Sequence, residues 1–121
     1  MIKILIIDDD EFLLDMYSVK FKEGGFLVEG AKGGSEALEK IQSFVPDFIL
    51  VDMVMPNMDG FETIKALREK AGTNVKIIAL SNLDQRENID KAFSSGADDY
   101  IIKADFTPSQ VLEKVKQILN L

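Results

Sequence analysis

Three short apolar runs constrain the fold of this chain more than any other feature. They are Ile4-Leu5-Ile6-Ile7, Phe48-Ile49-Leu50-Val51 and Ile77-Ile78-Ala79-Leu80. Each run is too short for a helix and none alternates between apolar and polar residues, so each is typical of a strand buried on both faces of a parallel sheet. Two weaker runs, 26–28 and 100–102, suit the edges of the same sheet.

Segments with apolar residues at helical spacing separate the strands. They are 10–23, 35–44, 60–71, 85–95 and 109–119, and the first carries Phe12, Leu13, Met16 and Val19. Strands that alternate with helices predict an α/β fold, a doubly wound (βα)5 three-layer sandwich around a five-stranded parallel sheet. Helix starts are also marked: Asp59 and Asp84 each precede a Glu by three residues, and Thr107 precedes Pro108, so these three are predicted N-caps.

The length of 121 residues indicates one domain, residues 1–121. The chain has no Cys and no His, which excludes disulfides, thiol and imidazole chemistry and Cys- or His-bound metals. Its net charge of −7 argues against general nucleic-acid binding. Neither a membrane span nor a signal peptide is evident, so we expect a cytoplasmic protein without membrane contact.

Polar residues follow the predicted strands, where open α/β sheets bind ligands. Asp8, Asp9 and Asp10 follow the first, Asp52 the third, Ser81 the fourth and Lys103 the fifth. Taken singly, each is more often a helix cap, a turn residue or a solvated side chain, but their occurrence at the ends of four strands favours a site. Two carboxylates about 4 Å apart repel by roughly 4 kcal/mol, so the cluster needs raised pKa values or a hard cation.

Oxygen ligands alone favour Mg²⁺, Mn²⁺ or Ca²⁺, and a few carboxylates beside a phosphate suit Mg²⁺. A metal, a lysine and a hydroxyl around a carboxylate are suited to phosphoryl transfer, because they stabilise the negative oxygens of the transferring group. Asp52 is the best candidate for a nucleophile that forms an aspartyl phosphate, because it stands alone at the end of a central strand.

With these features the sequence resembles the receiver domain of two-component response regulators over essentially its whole length. The resemblance rests on Ile4–Asp9, on Leu50–Gly60 with its Asp-x-x-Met-Pro-x-Met-Asp-Gly stretch, on Ala79–Ser81 and on Gly96–Lys103. It implies a flavodoxin-like fold. It also implies a signalling module rather than an enzyme, because a receiver domain catalyses only its own phosphorylation and dephosphorylation.

The resemblance also implies a role for each residue of the predicted site. Asp52 would accept a phosphoryl group from a histidine of a sensor kinase or a histidine phosphotransfer protein. Asp9, Asp52 and the main-chain carbonyl of Val54 would ligate Mg²⁺, while Asp8 would act mainly through a bound water.

The same resemblance implies a switch that a downstream protein reads. Lys103 would pair with the phosphoryl group, the hydroxyl of Ser81 would move to bond it, and the ring of Tyr100 would turn inward. The change would be read on the surface formed by 85–95, 100–102 and 109–119, called here the 85–119 face. Phosphorylation-dependent dimerisation through this face is a further possibility that the resemblance raises.

Three departures from the family pattern are visible. The family's Lys-Pro-Phe is replaced by Lys103-Ala104-Asp105-Phe106, one residue longer, and we expect a trans peptide bond before Ala104 because a cis bond there costs about 3 kcal/mol. Asn82 replaces a small residue. Val54 and Leu83 are apolar at positions where polar residues help to position water, which suggests a long-lived phosphorylated state.

Two other interpretations remain open from the sequence. A haloacid-dehalogenase-like phosphatase would use Asp-x-Asp after the first strand, which Asp8-x-Asp10 formally fits, although the chain has Phe12 where that class has Thr or Val. A receiver-like interaction module that no longer needs phosphate is the second alternative, and the altered loop after Lys103 keeps it open.

Overall fold

The structure is a computed structural model that describes residues 1–72 and 74–121. Within these residues five strands and five α-helices alternate. The strands are β1 (Lys3–Ile7), β2 (Leu27–Ala31), β3 (Phe48–Asp52), β4 (Lys76–Ser81) and β5 (Asp99–Ile102). The helices are α1 (Glu11–Glu23), α2 (Gly34–Lys40), α3 (Gly60–Ala71), α4 (Arg86–Ser95) and α5 (Pro108–Ile118), and a short 3-10 turn, Lys103–Asp105, joins β5 to α5.

All five strands run parallel in one sheet, in the order β2-β1-β3-β4-β5. The three strongest apolar runs form the central strands and the two weaker runs form the edges, which confirms the predicted doubly wound α/β fold. β2 reaches Ala31, beyond the predicted run, because Ala31 still pairs with Ile7 of β1. In the described ranges, no helix is both long enough and apolar enough to cross a membrane.

Helices cover both faces of the sheet, because successive side chains of a strand point to opposite sides. Leu5 and Ile49 pack on the side of α2, α3 and α4. Ile4 and Leu50 pack on the other side, against α1 and α5. The central strands are therefore apolar on both faces, as their unbroken apolar runs predict.

The face of α1 that packs on the sheet differs from the apolar pattern noted in the sequence. Leu14, Tyr17 and Phe21 are buried, whereas Phe12 and Val19 are 73% and 55% exposed. The apolar residues of this helix cover a broad arc, so periodicity alone does not show which part of the arc faces the core. The close packing of Phe21 with Phe26 and Phe48 accounts for the observed choice.

The predicted helix starts are confirmed at two of three positions. The carboxylate of Asp59 accepts a hydrogen bond from the Glu62 N–H at 2.9 Å, and Thr107 forms a full capping box with Gln110. The prediction for Asp84 is wrong, because α4 begins at Arg86 and its N-cap is Gln85.

The connection from β3 to α3 is closed by a tight backbone contact. The Gly60 N–H donates to the Met53 carbonyl at 3.1 Å. A Cβ atom at Gly60 would lie 2.4 Å from the Met53 Cα and 2.7 Å from the Asp52 carbonyl oxygen, so only glycine fits without displacing the end of β3. This contact fixes the position of the chain just after Asp52.

The outer edge of β2 is covered by a side chain from α2. The Lys40 ammonium donates to the main-chain carbonyl of Gly30 and to the carboxylate of Glu29, the latter at 2.9 Å. It also lies 3.3 Å from the Glu36 carboxylate.

The two aspartates that the sequence marks as caps form a matched pair for a stability test. We expect Asp59→Ala to lower the free energy of unfolding by about 1 kcal/mol, because the Glu62 N–H loses its acceptor. Asp84→Ala should change it by less than about 0.5 kcal/mol. Urea unfolding followed by circular dichroism measures both, and equal losses would contradict the observed start of α4.

Candidate functional site

The carboxyl ends of the parallel strands bring the predicted site residues to one edge of the sheet. Asp8 follows β1 directly, Asp52 ends β3, Ser81 ends β4, and Lys103 follows β5. Because β1, β3, β4 and β5 are neighbours in that order, these residues come from four adjacent strands. Asp8, Asp52 and Ser81 are buried, at 1%, 7% and 1% exposure.

The Lys103 ammonium lies between two carboxylates. Its Nζ atom is 3.2 Å from Asp8 Oδ2 and 3.4 Å from Asp52 Oδ1, and the lysine side chain is 13% exposed. The chain after it forms the 3-10 turn, and in the described part of the chain no peptide bond is cis, as expected for the bond before Ala104. The longer loop therefore still delivers the lysine to the site.

Three carboxylates form a cluster at this edge. Asp8, Asp9 and Asp52 each offer an oxygen, and these oxygens all lie within 4.8 Å of one another. Opposite ligands of an octahedral Mg²⁺ are about 4 Å apart, so the donor set fits a single hard cation after small adjustments. Asp9 is exposed to solvent whereas Asp8 and Asp52 are buried.

Main-chain groups hold the buried carboxylates in place. Asp8 Oδ1 accepts a hydrogen bond from the Asp10 N–H at 3.0 Å, and Asp52 Oδ1 accepts a longer one from the Val54 N–H at 3.4 Å. The side chain of Val54 is mostly exposed beside the site.

Burial and the neighbouring charges shift the pKa values of Asp52 and Lys103. Burial raises the pKa of Asp52 to about 6, and the Asp8 carboxylate adds to the shift, while the Lys103 ammonium and the Val54 N–H oppose it. Burial alone would lower the pKa of Lys103, but the carboxylates of Asp52 and Asp8 outweigh it and raise the pKa. Three carboxylates beside one ammonium leave a negative excess that favours a cation.

Ser81 and Tyr100 are joined through Leu83. The Ser81 hydroxyl accepts a hydrogen bond from the Leu83 N–H at 3.1 Å, and the Tyr100 hydroxyl donates to the Leu83 carbonyl at 2.7 Å. Burial raises the pKa of Tyr100, and the Ser81 hydroxyl opposes that shift. The two predicted switch residues, on β4 and β5, are thus linked through the loop that follows β4.

The position of Asp10 bears on the phosphatase interpretation. Its carboxylate caps α1 by accepting hydrogen bonds from the Phe12 and Leu13 N–H groups at 3.0 and 3.2 Å. Asp10 therefore has a structural role at the start of α1 and is not one of the three clustered carboxylates, whereas an Asp-x-Asp site would use it together with Asp8.

One polar residue near the site was missed in the sequence. Tyr17 is buried on α1, and its phenol is close enough to Lys103, Asp8 and Asp52 for their charges to affect its pKa. Its spacing of three residues from the buried Leu14 was the available signal, but the competing stripe through Phe12 and Val19 obscured it.

Comparison with known proteins identifies the family. The model of the response regulator receiver domain matches residues 4–116. The chain belongs to this family. It is a receiver domain of two-component signal transduction, a module activated by phosphorylation, and its family implies partnership with a sensor kinase and a downstream target. The family predicted from the sequence is confirmed.

Individual relatives cover the receiver domain at moderate identity. The chemotaxis protein CheY of Thermotoga maritima is 36% identical, over 96% of each chain. The regulator PhoP of Bacillus subtilis is 35% identical, but the chain spans only 48% of that protein. The structure of CheY4 from Vibrio cholerae superposes with a TM-score of 0.90 at 32% identity over 98% of each chain.

The raised pKa of Asp52 leads to a stability prediction for the receiver domain in metal-free buffer. This carboxyl favours the folded state most below its unfolded pKa of 3.8, and that contribution is lost as the pH rises through about 6. We expect Asp52→Asn to raise the free energy of unfolding at about pH 7 by about 1 to 3 kcal/mol. The gain should shrink as the pH falls to about 4, where the wild-type carboxyl is largely protonated.

Urea unfolding in the presence of a chelator, at both pH values, measures this effect. The exposed aspartate of α1 provides the control, because Asp15→Asn should change stability by less than about 0.5 kcal/mol at either pH. A gain for Asp52→Asn that is independent of pH would contradict the assigned cause.

Proposed function

We propose that Asp52 is the phosphoryl acceptor of this receiver domain and that the donor is a phosphohistidine of a sensor kinase or a histidine phosphotransfer protein. The observation that carries the proposal is the position of the Asp52 carboxylate. It ends a central strand, it is buried, and Lys103 Nζ lies 3.4 Å from its Oδ1. The sequence has no histidine, so a phosphohistidine donor lies outside these 121 residues.

The transfer exchanges one bond to phosphorus for another. A carboxylate oxygen of Asp52 attacks the phosphorus atom, and the bond between phosphorus and the donor nitrogen breaks. The electron pair of that bond stays with the histidine, which leaves as imidazole, and Asp52 becomes an acyl phosphate. Water later attacks the phosphorus atom and releases inorganic phosphate and the free carboxylate. The domain therefore catalyses only its own modification and its own recovery.

Asp8, Asp9 and Asp52 would hold Mg²⁺, together with the main-chain carbonyl of Val54 that the family resemblance implies. When bound, the ion supplies positive charge against the oxygens of the phosphoryl group. The Lys103 ammonium provides a second positive charge on the β5 side, and its bond to Asp8 keeps it directed at the site. The fit of three carboxylate oxygens within 4.8 Å supports this assignment.

Phosphorylation would shift the population of the loop after β4. The Ser81 hydroxyl leaves the Leu83 N–H to bond a phosphoryl oxygen, and Tyr100 responds because it holds the carbonyl of the same Leu83. The 85–119 face, which contains α4, β5 and α5, then presents the change to a downstream protein or to a second copy of the chain.

Labelling with a small-molecule phosphodonor tests the acceptor. We expect Mg²⁺-dependent addition of a phosphoryl group, detected by intact mass spectrometry, and complete loss of labelling in Asp52→Asn because the nucleophilic oxygen is removed. The exposed Asp105→Asn serves as the matched control and should label like the wild type.

Three other results of the labelling experiment would contradict the proposal. Labelling that survives Asp52→Asn would refute the proposed acceptor. Folded wild-type protein that never labels would favour a phosphate-independent interaction module. Turnover of a phosphate ester that depends on Asp8 but not on Asp52 would favour the phosphatase interpretation.

The lifetime of the acyl phosphate depends on the residues that flank the site. Val54 is 60% exposed beside Asp52 and cannot orient an attacking water. We expect Val54→Asn to speed loss of the phosphoryl group by about tenfold, because an amide can position that water. Val45→Asn is the control, since Val45 is 67% exposed but precedes β3 at the opposite edge of the sheet. Equal lifetimes for Val54→Asn and the wild type would contradict the prediction.

A further inference from the structure

A groove of about 260 Å³ lies beside the site, between α1 and the turn that follows β5. Tyr17 and Lys103 both line it, together with Leu13, Met16, Phe106 and Pro108. Most of the lining residues are apolar, and the ammonium of Lys103 lies at the charged site. The long, flexible side chain of Lys103 needs a restraint that keeps its ammonium at the site.

The backbone around Lys103 provides little of that restraint. Lys103 begins a 3-10 turn of three residues in which Ala104 and Asp105 are exposed. The Phe106 N–H donates to the Lys103 carbonyl at 3.2 Å and closes the turn. A lysine on such a turn keeps most of its rotamers unless neighbouring side chains restrict its stem.

The unit formed by β1 and α1 is a rigid neighbour of this turn. The Asp10 N–H bonds Asp8 Oδ1, and the Asp10 carboxylate in turn caps α1. Asp8 and Tyr17 therefore belong to one connected element. Asp8 holds the Lys103 ammonium at 3.2 Å, while Tyr17, at 4% exposure, lines the same groove as Lys103.

The charges of the site reach the Tyr17 phenol as well. Burial raises the pKa of Tyr17, the Lys103 ammonium opposes that shift, and the carboxylates of Asp8 and Asp52 reinforce it. The phenol is thus near the charged groups of Lys103, Asp8 and Asp52 that form the site.

We infer that Tyr17 is a positioning residue for phosphoryl transfer, whose ring covers the stem of Lys103 and keeps its ammonium between Asp8 and Asp52. This inference rests on the proposed function only for its effect on rate. The ring excludes water from the inner side of the groove, which strengthens the attraction between the lysine and the two carboxylates. The Tyr17 ring thereby restricts the Lys103 side chain, which the exposed turn Lys103–Asp105 does not do.

The experiment compares Tyr17→Leu and Tyr17→Phe with Phe21→Leu. Phe21 is a fully buried aromatic of the same helix outside the groove, so its variant reports general loss of packing. We expect Tyr17→Leu to slow labelling by a small-molecule phosphodonor by about tenfold, because a displaced charge stabilises the transition state poorly. Tyr17→Phe keeps the ring and should label within about twofold of the wild type, as should Phe21→Leu under conditions where it is folded.

Nuclear magnetic resonance tests the geometry without phosphorylation. In the wild type we expect nuclear Overhauser contacts between the Tyr17 ring protons and the Lys103 side chain. The Lys103 ammonium signal should be protected from exchange in the wild type, Tyr17→Phe and Phe21→Leu, and should broaden in Tyr17→Leu. The wild-type contacts keep the test decisive even if Tyr17→Leu does not fold.

Absent contacts in the wild type, or normal labelling with a protected ammonium in folded Tyr17→Leu, would overturn the inference. Slow labelling in Phe21→Leu to the same degree as in Tyr17→Leu would also overturn it, because the effect would then be general. A wild type that shows the contacts but never labels would refute the proposed acceptor and leave the placement of Lys103 by Tyr17 supported.

Discussion

The ion-paired arrangement of Lys103 with Asp8 and Asp52 is the interaction around which this edge of the sheet is organised. Removing three charged groups from water is costly, and their mutual contacts at 3.2 and 3.4 Å offset only part of that cost. Asp9 adds a further negative charge at the rim. The site therefore carries an excess of negative charge that a divalent cation can neutralise, and the same excess lowers the stability of the folded chain when no cation is bound.

The parallel sheet makes this concentration of charge possible. All strands end at one edge, so one or two residues at the ends of β1, β3, β4 and β5 suffice to assemble the site, while the helices hold the rest of each strand in an apolar environment. Main-chain contacts then set the positions more finely. Gly60 packs against the backbone at the end of β3, and Asp10 links the Asp8 carboxylate to the start of α1. Local backbone geometry thereby determines the spacing of the reactive groups.

Much of this was predictable from the sequence, and the exceptions have physical reasons. Unbroken apolar runs identify the central strands, and the family resemblance brings together the residues now seen around Lys103. The start of α4 was not predictable because its N-cap, Gln85, makes no side-chain hydrogen bond to the helix, whereas the preceding Asp84 fits the sequence pattern of a cap. The buried face of α1 was not predictable because its apolar residues cover a broad arc, and that ambiguity concealed Tyr17. Tertiary packing decides such cases.

The ammonium of Lys40 on the outer edge of β2 has a consequence for the behaviour of the molecule in crowded solution. Open sheet edges can recruit strands from other chains and so begin fibrous assembly. Any strand that approached β2 would have to displace a cation already held by Gly30, Glu29 and Glu36 before it could use that carbonyl. Templated polymerisation from this edge is thereby disfavoured.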